Sequence, residues 1–130
     1  MVTWGDDAKG ADSSGVQDQL VGVGTICGNM DAFAAKLLNG RVVTWGDRLS
    51  GGDSTAVQAD LVDVVSICST ASAVTAIRAD GCVVTWGWRN CGTPMPTMAE
   101  LTDVDAIYSN YSLFVAVRKD RKHVVTWGED

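Results

Sequence analysis

The string Val-Thr-Trp-Gly occurs four times, at Val2–Gly5, Val43–Gly46, Val84–Gly87 and Val125–Gly128, and successive copies start 41 residues apart. A fixed period of this size restricts the fold more than any other feature of the chain. A unit of about 40 residues cannot bury its own apolar face and must stack on its neighbours, which leads to a solenoid or a propeller. The 130 residues divide into repeats 2–42, 43–83 and 84–124 within a single repeat domain spanning 1–130. Residues 125–130 then read as the first strand of a further blade. The first two copies align without a gap. The third drops one residue before Leu101 and gains one near Lys122, so the period survives.

Each copy carries the same parts. A valine-to-isoleucine segment (Val23 to Ile26, Val64 to Ile67, Val104 to Ile107) precedes an apolar run at Ala32–Leu38, Ala73–Ala79 and Leu113–Lys119. A turn follows at Asn39-Gly40, Asp80-Gly81 and Asp120-Arg121-Lys122, and then Val-Val-Thr-Trp-Gly or its equivalent. Asn-Gly and Asp-Gly between β-rich runs signal hairpins, with a type I′ turn expected because both residues accept positive φ cheaply. The third turn lacks the glycine, and its hairpin is expected to be the least well formed. Between Trp-Gly and the valine segment lie SSGVQDQL, STAVQADL and PTMAEL, which suit either a short strand or a single helical turn. A short irregular outer strand is the expectation, making about four strands per repeat. The fold class is therefore all-β: three β-propeller blades of about 41 residues each, as a partial or open propeller.

Val-Val-Thr is β-branched and suits a pleated strand. With tryptophan it leaves no polar face, so the strand is expected to be covered on both sides, as an inner seam between blades. Trp4, Trp45, Trp86 and Trp127 are read as packing residues. Gly5, Gly46, Gly87 and Gly128 are read as allowing a sharp exit or close backbone approach.

The Trp-Gly pairs, Asp80-Gly81 and Val104-Asp105-Ala106-Ile107 resemble the repeats of the regulator of chromosome condensation family. That resemblance implies a β-propeller over nearly the whole chain. The short period is most similar to its compact branch, the propeller-type β-lactamase inhibitor protein, and such repeats also occur in HECT-type ubiquitin ligases. The chain departs from the pattern in three places. Lys36 stands where an apolar strand residue is expected, with Ile77 and Val117 as its equivalents; Trp88 replaces the aspartate found at Asp6 and Asp47; Arg121 replaces a turn glycine.

Propellers close with roughly four to eight blades. Three blades leave two open flanks, and neither end of the sequence resembles a cap. Three arrangements stay open: a fragment of a longer propeller, a homodimer closing a six-bladed ring, or an open stack.

The net charge of −6, with 10 basic against 16 acidic residues, is the wrong balance for a nucleic-acid surface. The run Arg118, Lys119, Arg121, Lys122 reads as a solvated hairpin tip. No apolar run is long enough to span a membrane, and no signal peptide opens the chain, so a cytoplasmic location is expected. Cys27, Cys68, Cys82 and Cys91 form no CxxC pair, and the single histidine, His123, lies far from them in sequence. No metal, cofactor or catalytic cluster is expected. Asp12-Ser13-Ser14 and Asp53-Ser54-Thr55 repeat a loop rather than forming a triad, and their aspartates read as turn formers.

What remains is binding by loops. The copies vary most after Trp-Gly (Asp6–Lys9, Asp47–Ser50, Trp88–Cys91) and after the isoleucine strand (Gly28–Asp31, Ser69–Ser72, Ser109–Ser112). Candidate contacts are Asp47, Arg48, Trp88, Arg89, Asn90, Tyr108 and Tyr111, because tryptophan, tyrosine and arginine dominate binding hot spots. The expected function is a non-enzymatic protein-interaction module with a protein partner. The alternative is a substrate-recruiting piece of a ubiquitin ligase or a regulator of a small GTPase, as the resemblance implies.

Overall fold

Three runs per repeat form strands, and each set of three closes into one antiparallel sheet. The computed structural model describes residues 2–5, 12–87, 102–120 and 122–128. Blade I is β1 (Val23–Gly28), β2 (Ala32–Leu37) and β3 (Val42–Gly46); blade II is β4 (Val64–Ser69), β5 (Ala73–Arg78) and β6 (Val83–Gly87); blade III is β7 (Val104–Ser109), β8 (Leu113–Arg118) and β9 (Val124–Gly128). In each sheet the middle strand of the sequence is also the middle strand in space.

The VTWG strand closes the blade that precedes it. Trp45 pairs with Phe33, Trp86 with Val74 and Trp127 with Phe114. Residues 125–128 are thus part of the last strand of blade III, not the first strand of a further blade, because the local hairpin from β8 reaches them first. VTWG lies in the seam between blades as expected, but not on the edge through which neighbouring sheets approach each other. Neighbouring blades approach through β1 with β4 and β4 with β7, while β3, β6 and β9 form the opposite edge of each sheet.

The apolar cores lie between blades rather than within them. Ala34 and Val42 of blade I pack with Val64, Val74, Ala76 and Trp86 of blade II, with Leu61 of the connector inserted among them. Val83 and Ile77 of blade II pack in the same way with Val104, Phe114, Ala116 and Trp127 of blade III. Each blade tryptophan therefore faces the preceding blade, as a wedge-filling role requires. Trp45 faces the connector residues Val16 and Leu20 instead. Phe33–Trp45 and Phe114–Trp127 stack with ring centroids 5.6 and 5.3 Å apart. Trp4 departs from the expected packing role: it is 86% exposed, against 5%, 7% and 3% for Trp45, Trp86 and Trp127, because Val2–Gly5 belongs to none of the three sheets.

The expected fourth strand is absent from both described connectors. Residues Gln17–Gln19 and Thr55–Asp60 form 3-10 helices, held by Leu20 N–H to the Gln17 carbonyl and Leu61 N–H to the Gln58 carbonyl. Local i to i+3 bonds satisfy this backbone without a ladder, and side chains make a neighbouring strand unnecessary. Thr44 Oγ1 lies 2.8 Å from Ser54 Oγ and donates to the Gly52 carbonyl, and Gln58 Nε2 donates to Ser54 Oγ and the Val42 carbonyl. Most of the third connector lies outside the described residues.

The hairpin turns differ from type I′ as well. Only the glycines take positive φ, Gly40 at 84° and Gly81 at 85°, within three-residue loops closed by Leu37 N–H to Arg41 O and Arg78 N–H to Cys82 O. Three-residue hairpins with a left-handed glycine are the next common solution. The glycine is needed for a second reason. A Cβ on Gly40 would lie 3.1 Å from Asp63 Cα, and one on Gly81 would lie 3.1 Å from Asp103 Cα. The Gly40 and Gly81 carbonyls accept from Val64 N–H and Val104 N–H at 3.0 Å. The turn of one blade is thus a joint to the next. Asp63 and Asp103 take positive φ there (53° and 54°), as Gly22 does at the equivalent place.

The third hairpin is as fully paired as the others, with β8 and β9 in register from Leu113↔Gly128 to Val117↔Val124. The Asp120 carboxylate holds this turn as Asn39 and Asp80 hold the other two, through the N–H two residues ahead. It accepts from the N–H groups of Lys122 and His123, and its second oxygen lies 2.7 Å from His123 Nδ1. Lys119 and Lys122 are exposed at this tip, as read from the sequence, while Arg121 lies outside the described residues. Lys36 is half-buried, paired with Thr25 and Val42.

Candidate functional site

The loops that vary between copies gather at one end of the blades, opposite the hairpin turns. In blade I, Asn29 organises its own loop: its Oδ1 accepts from Asp31 N–H and Ala32 N–H. Asn110 does the same in blade III toward Ser112 and Leu113. The loop after Trp-Gly is tied to this end. Asp47 N–H donates to the Asp31 carbonyl at 2.8 Å, and Asn29 Nδ2 donates to the Ser50 carbonyl at 2.6 Å. Asp47 then caps a 3-10 helix, Arg48–Ser50, through Leu49 N–H. The Trp-Gly glycine makes the exit possible, because a Cβ on Gly46 would sit 2.6 Å from the Asp31 carbonyl oxygen.

Bonds between blades join these loops into one surface. Ser69 Oγ donates to the Gly28 carbonyl at 3.0 Å. Ala71 N–H donates to the Tyr111 carbonyl at 2.8 Å. Tyr111 Oη reaches back across the loops to donate to Met30 Sδ at 3.1 Å, 81 residues away in sequence. The surface is open: Met30 is 57% and Tyr111 67% exposed, while Tyr108, 61% exposed, lies on β7 where the equivalents Cys27 and Cys68 face the following blade. Asp47 and Arg48 sit at the same end of blade I, and Trp88, Arg89 and Asn90 lie outside the described residues. Met30 was missed by sequence reasoning. It stands in a loop marked as variable, but only the fold shows which loops of distant repeats meet.

Several aspartates are occupied in holding loops. Asp12 accepts from the Ser14 hydroxyl and N–H, and Asp53 accepts from the Thr55 hydroxyl and N–H. These bonds hold both carboxyls below the usual carboxylate range. Asp80 and Asp120 are lowered chiefly by the N–H groups of Cys82 and Lys122. Cys27, Cys68 and Cys82 are free and half-buried. Burial pushes the Cys27 thiol up and the Cys68 thiol to about 11, which leaves both poor nucleophiles. Among the described residues no three His, Cys, Asp or Glu side chains are grouped to hold a metal ion. An open groove of about 290 Å³ lies between the connectors, lined by Val16, Gln19, Thr44, Ser54, Thr55 and Gln58 among others. Thr44, Ser54 and Gln58 there bond to one another or to nearby backbone. No helix among the described residues is long and apolar enough to cross a membrane.

No family model matches the sequence, and no curated protein matches it. Solved structures do match the fold. The Physcomitrella patens receptor kinase CR4 ectodomain superposes with a TM-score of 0.59 at 21% identity, covering 82% of this chain and 29% of that one. Prp20p of Saccharomyces cerevisiae, described with its binding to Gsp1p and histones, gives 0.61 at 19% identity, covering 82% and 30%. Human WBSCR16 gives 0.57 at 15% identity, covering 82% and 33%. The chain therefore shares the β-propeller blade fold of these structures, and it spans about a third of their length.

Proposed function

We propose that this chain is a non-enzymatic protein-interaction module whose contact surface is the loop end of the blades. One observation carries the reading: the Tyr111–Met30 contact unites the loops of blades I and III into an open patch. Exposed aromatic and methionine side chains on a rigid scaffold are the usual anchors of protein partners. The aspartates support the non-enzymatic part, since Asp12, Asp53, Asp80 and Asp120 are spent on holding turns. A nucleic-acid partner is disfavoured by the charge of −6. Recruitment of substrate within a ubiquitin ligase is the alternative use of the same face. Regulation of a small GTPase is a further one, favoured by the Gsp1p binding described for the yeast neighbour. Two copies closing a six-bladed ring would leave this face open.

The test is affinity capture with the chain, compared with Met30→Ala/Tyr111→Ala and with Arg41→Ala at the opposite end. The reading expects a protein retained by the parent and by Arg41→Ala, and weakened at least tenfold by the Met30/Tyr111 pair. Equal retention by all three removes the loop face as the contact surface. Saturable turnover of a small molecule by the parent chain would remove the non-enzymatic part.

A further inference from the structure

The chain carries four VTWG strands and three hairpins to receive them. Each hairpin holds the VTWG strand that follows it, and Val2–Gly5 belongs to no sheet. Those four residues are nevertheless set as the others are. Thr3 Oγ1 lies 2.9 Å from Ser13 Oγ, as Thr44 Oγ1 lies 2.8 Å from Ser54 Oγ. Gln17 Nε2 donates to Ser13 Oγ as Gln58 Nε2 donates to Ser54 Oγ, both at 2.7 Å. Gly5 has φ 122°, beside 106° at Gly46 and 118° at Gly87. These residues and their connector thus repeat the arrangement of β3 and its connector.

The far flank of blade III is its complement. Val124 is 58% exposed where its equivalents Val42 and Val83 are 2% and 3% exposed under the next blade. The surface that covers Val42 and Val83 is built from Leu61, Val64, Val74 and Trp86 or their equivalents, and blade I presents the same set in Leu20, Val23, Phe33 and Trp45. Blade I of one copy can therefore follow blade III of another through the joint the chain already uses twice. Its connector then places Val2–Gly5 where Val125–Gly128 of the first copy lies. Two identical strings cannot share one site, so one of the two must leave it.

We propose that copies of this chain associate head to tail by strand exchange: Val2–Gly5 of one copy replaces Val125–Gly128 of another as the third strand of blade III. Trp4 then stacks on Phe114 as Trp127 does in the unexchanged chain. The exchange introduces no new side-chain identity, since the two strings are the same, and it covers the flank of blade III where Val124 is exposed. Copies joined at both ends close as six blades, within the range propellers use. This inference rests on association of copies and is independent of the loop-face reading.

The registers supply the probe. Thr75 pairs with Thr85, their hydroxyls 2.9 Å apart, and the equivalent pair in blade III is Val115 with Thr126. Exchange puts Thr3 of one copy opposite Val115 of the other, at a spacing a disulfide can bridge. In a background with the four native cysteines changed to alanine, one chain carries Thr3→Cys and a second Val115→Cys. The two are refolded together and oxidised, and light scattering is run on the same mixture. A V115C/T126C chain, cross-linked within itself, reports that blade III forms in this background. The expected result is a covalent pair of one of each chain, at about twice 13.7 kDa. Association without the cross-link, with the control bridged, overturns the exchange and leaves the ring. Monomers without the cross-link overturn both, and so does a single T3C/V115C chain that bridges only within itself.

Discussion

The same tryptophan has two fates in this chain, and the difference is set by what stands opposite it. Trp86 and Trp127 fill the space between blades, while Trp4 lies in solvent. Truncating a buried tryptophan removes apolar contact and leaves a cavity. Trp86→Ala is expected to destabilise the chain by about 3–5 kcal/mol. Trp4→Ala is expected to stay within about 0.5 kcal/mol for the dilute single copy. Denaturant unfolding at micromolar concentration measures both, and equal losses would contradict the exposed placement of Trp4. The string alone identified tryptophan as the wedge, because its recurrence is architectural. It could not show that one of four wedges has no slot, since that depends on which hairpin each strand follows.

The turns and connectors rely on aspartate more than on glycine alone. Asp12, Asp53, Asp80 and Asp120 each accept from backbone N–H two residues ahead, and each has its carboxyl lowered in the folded chain. A lowered folded-state value means stabilisation that is fully present above the ordinary carboxylate value and is lost as pH falls through the folded one. The loops should therefore hold at neutral pH and loosen below about pH 4. Amide resonances of Ser14, Thr55, Cys82 and Lys122 are expected to shift together in that window, while those of Ala34 and Ala76 in the buried strands stay fixed. Unmoved turn amides down to about pH 2 would show that the carboxylates do not hold them. Asn-Gly and Asp-Gly located two hairpins correctly, but the turn type was set by the joint: the glycine backbone must pass within van der Waals contact of the next blade. The third hairpin is fully paired without that glycine, and its turn keeps the side-chain bond that Asn39 and Asp80 make in the other two. The connectors read ambiguously because short polar-apolar mixtures fit a strand edge or a 3-10 turn equally. Tertiary contacts chose the turn, through Leu61 in the core and Ser54 against Thr44.

Across the whole molecule, stability is a chain of neighbour contacts. Blade II is covered on both sides, whereas blade III is covered only by blade II. Hydrogen exchange on the dilute chain should therefore find β9 less protected than β3 and β6. Equal protection of the three VTWG strands would mean that the open flank is covered even in dilute solution. The candidate site belongs to this scale too. The sequence marked the variable loops and named Tyr108 and Tyr111, but it gave no means of pairing Tyr111 with Met30, because loop convergence depends on blade rotation and not on any local pattern. By itself the sequence determined the period, the strands and the hairpins, since alternation and turn chemistry act within a few residues and repeat three times. Only the tertiary structure decided which blade each VTWG strand completes, which edge faces the neighbouring blade, and where the cores lie. Those depend on contacts between residues about forty positions apart, where identical strings meet different surroundings.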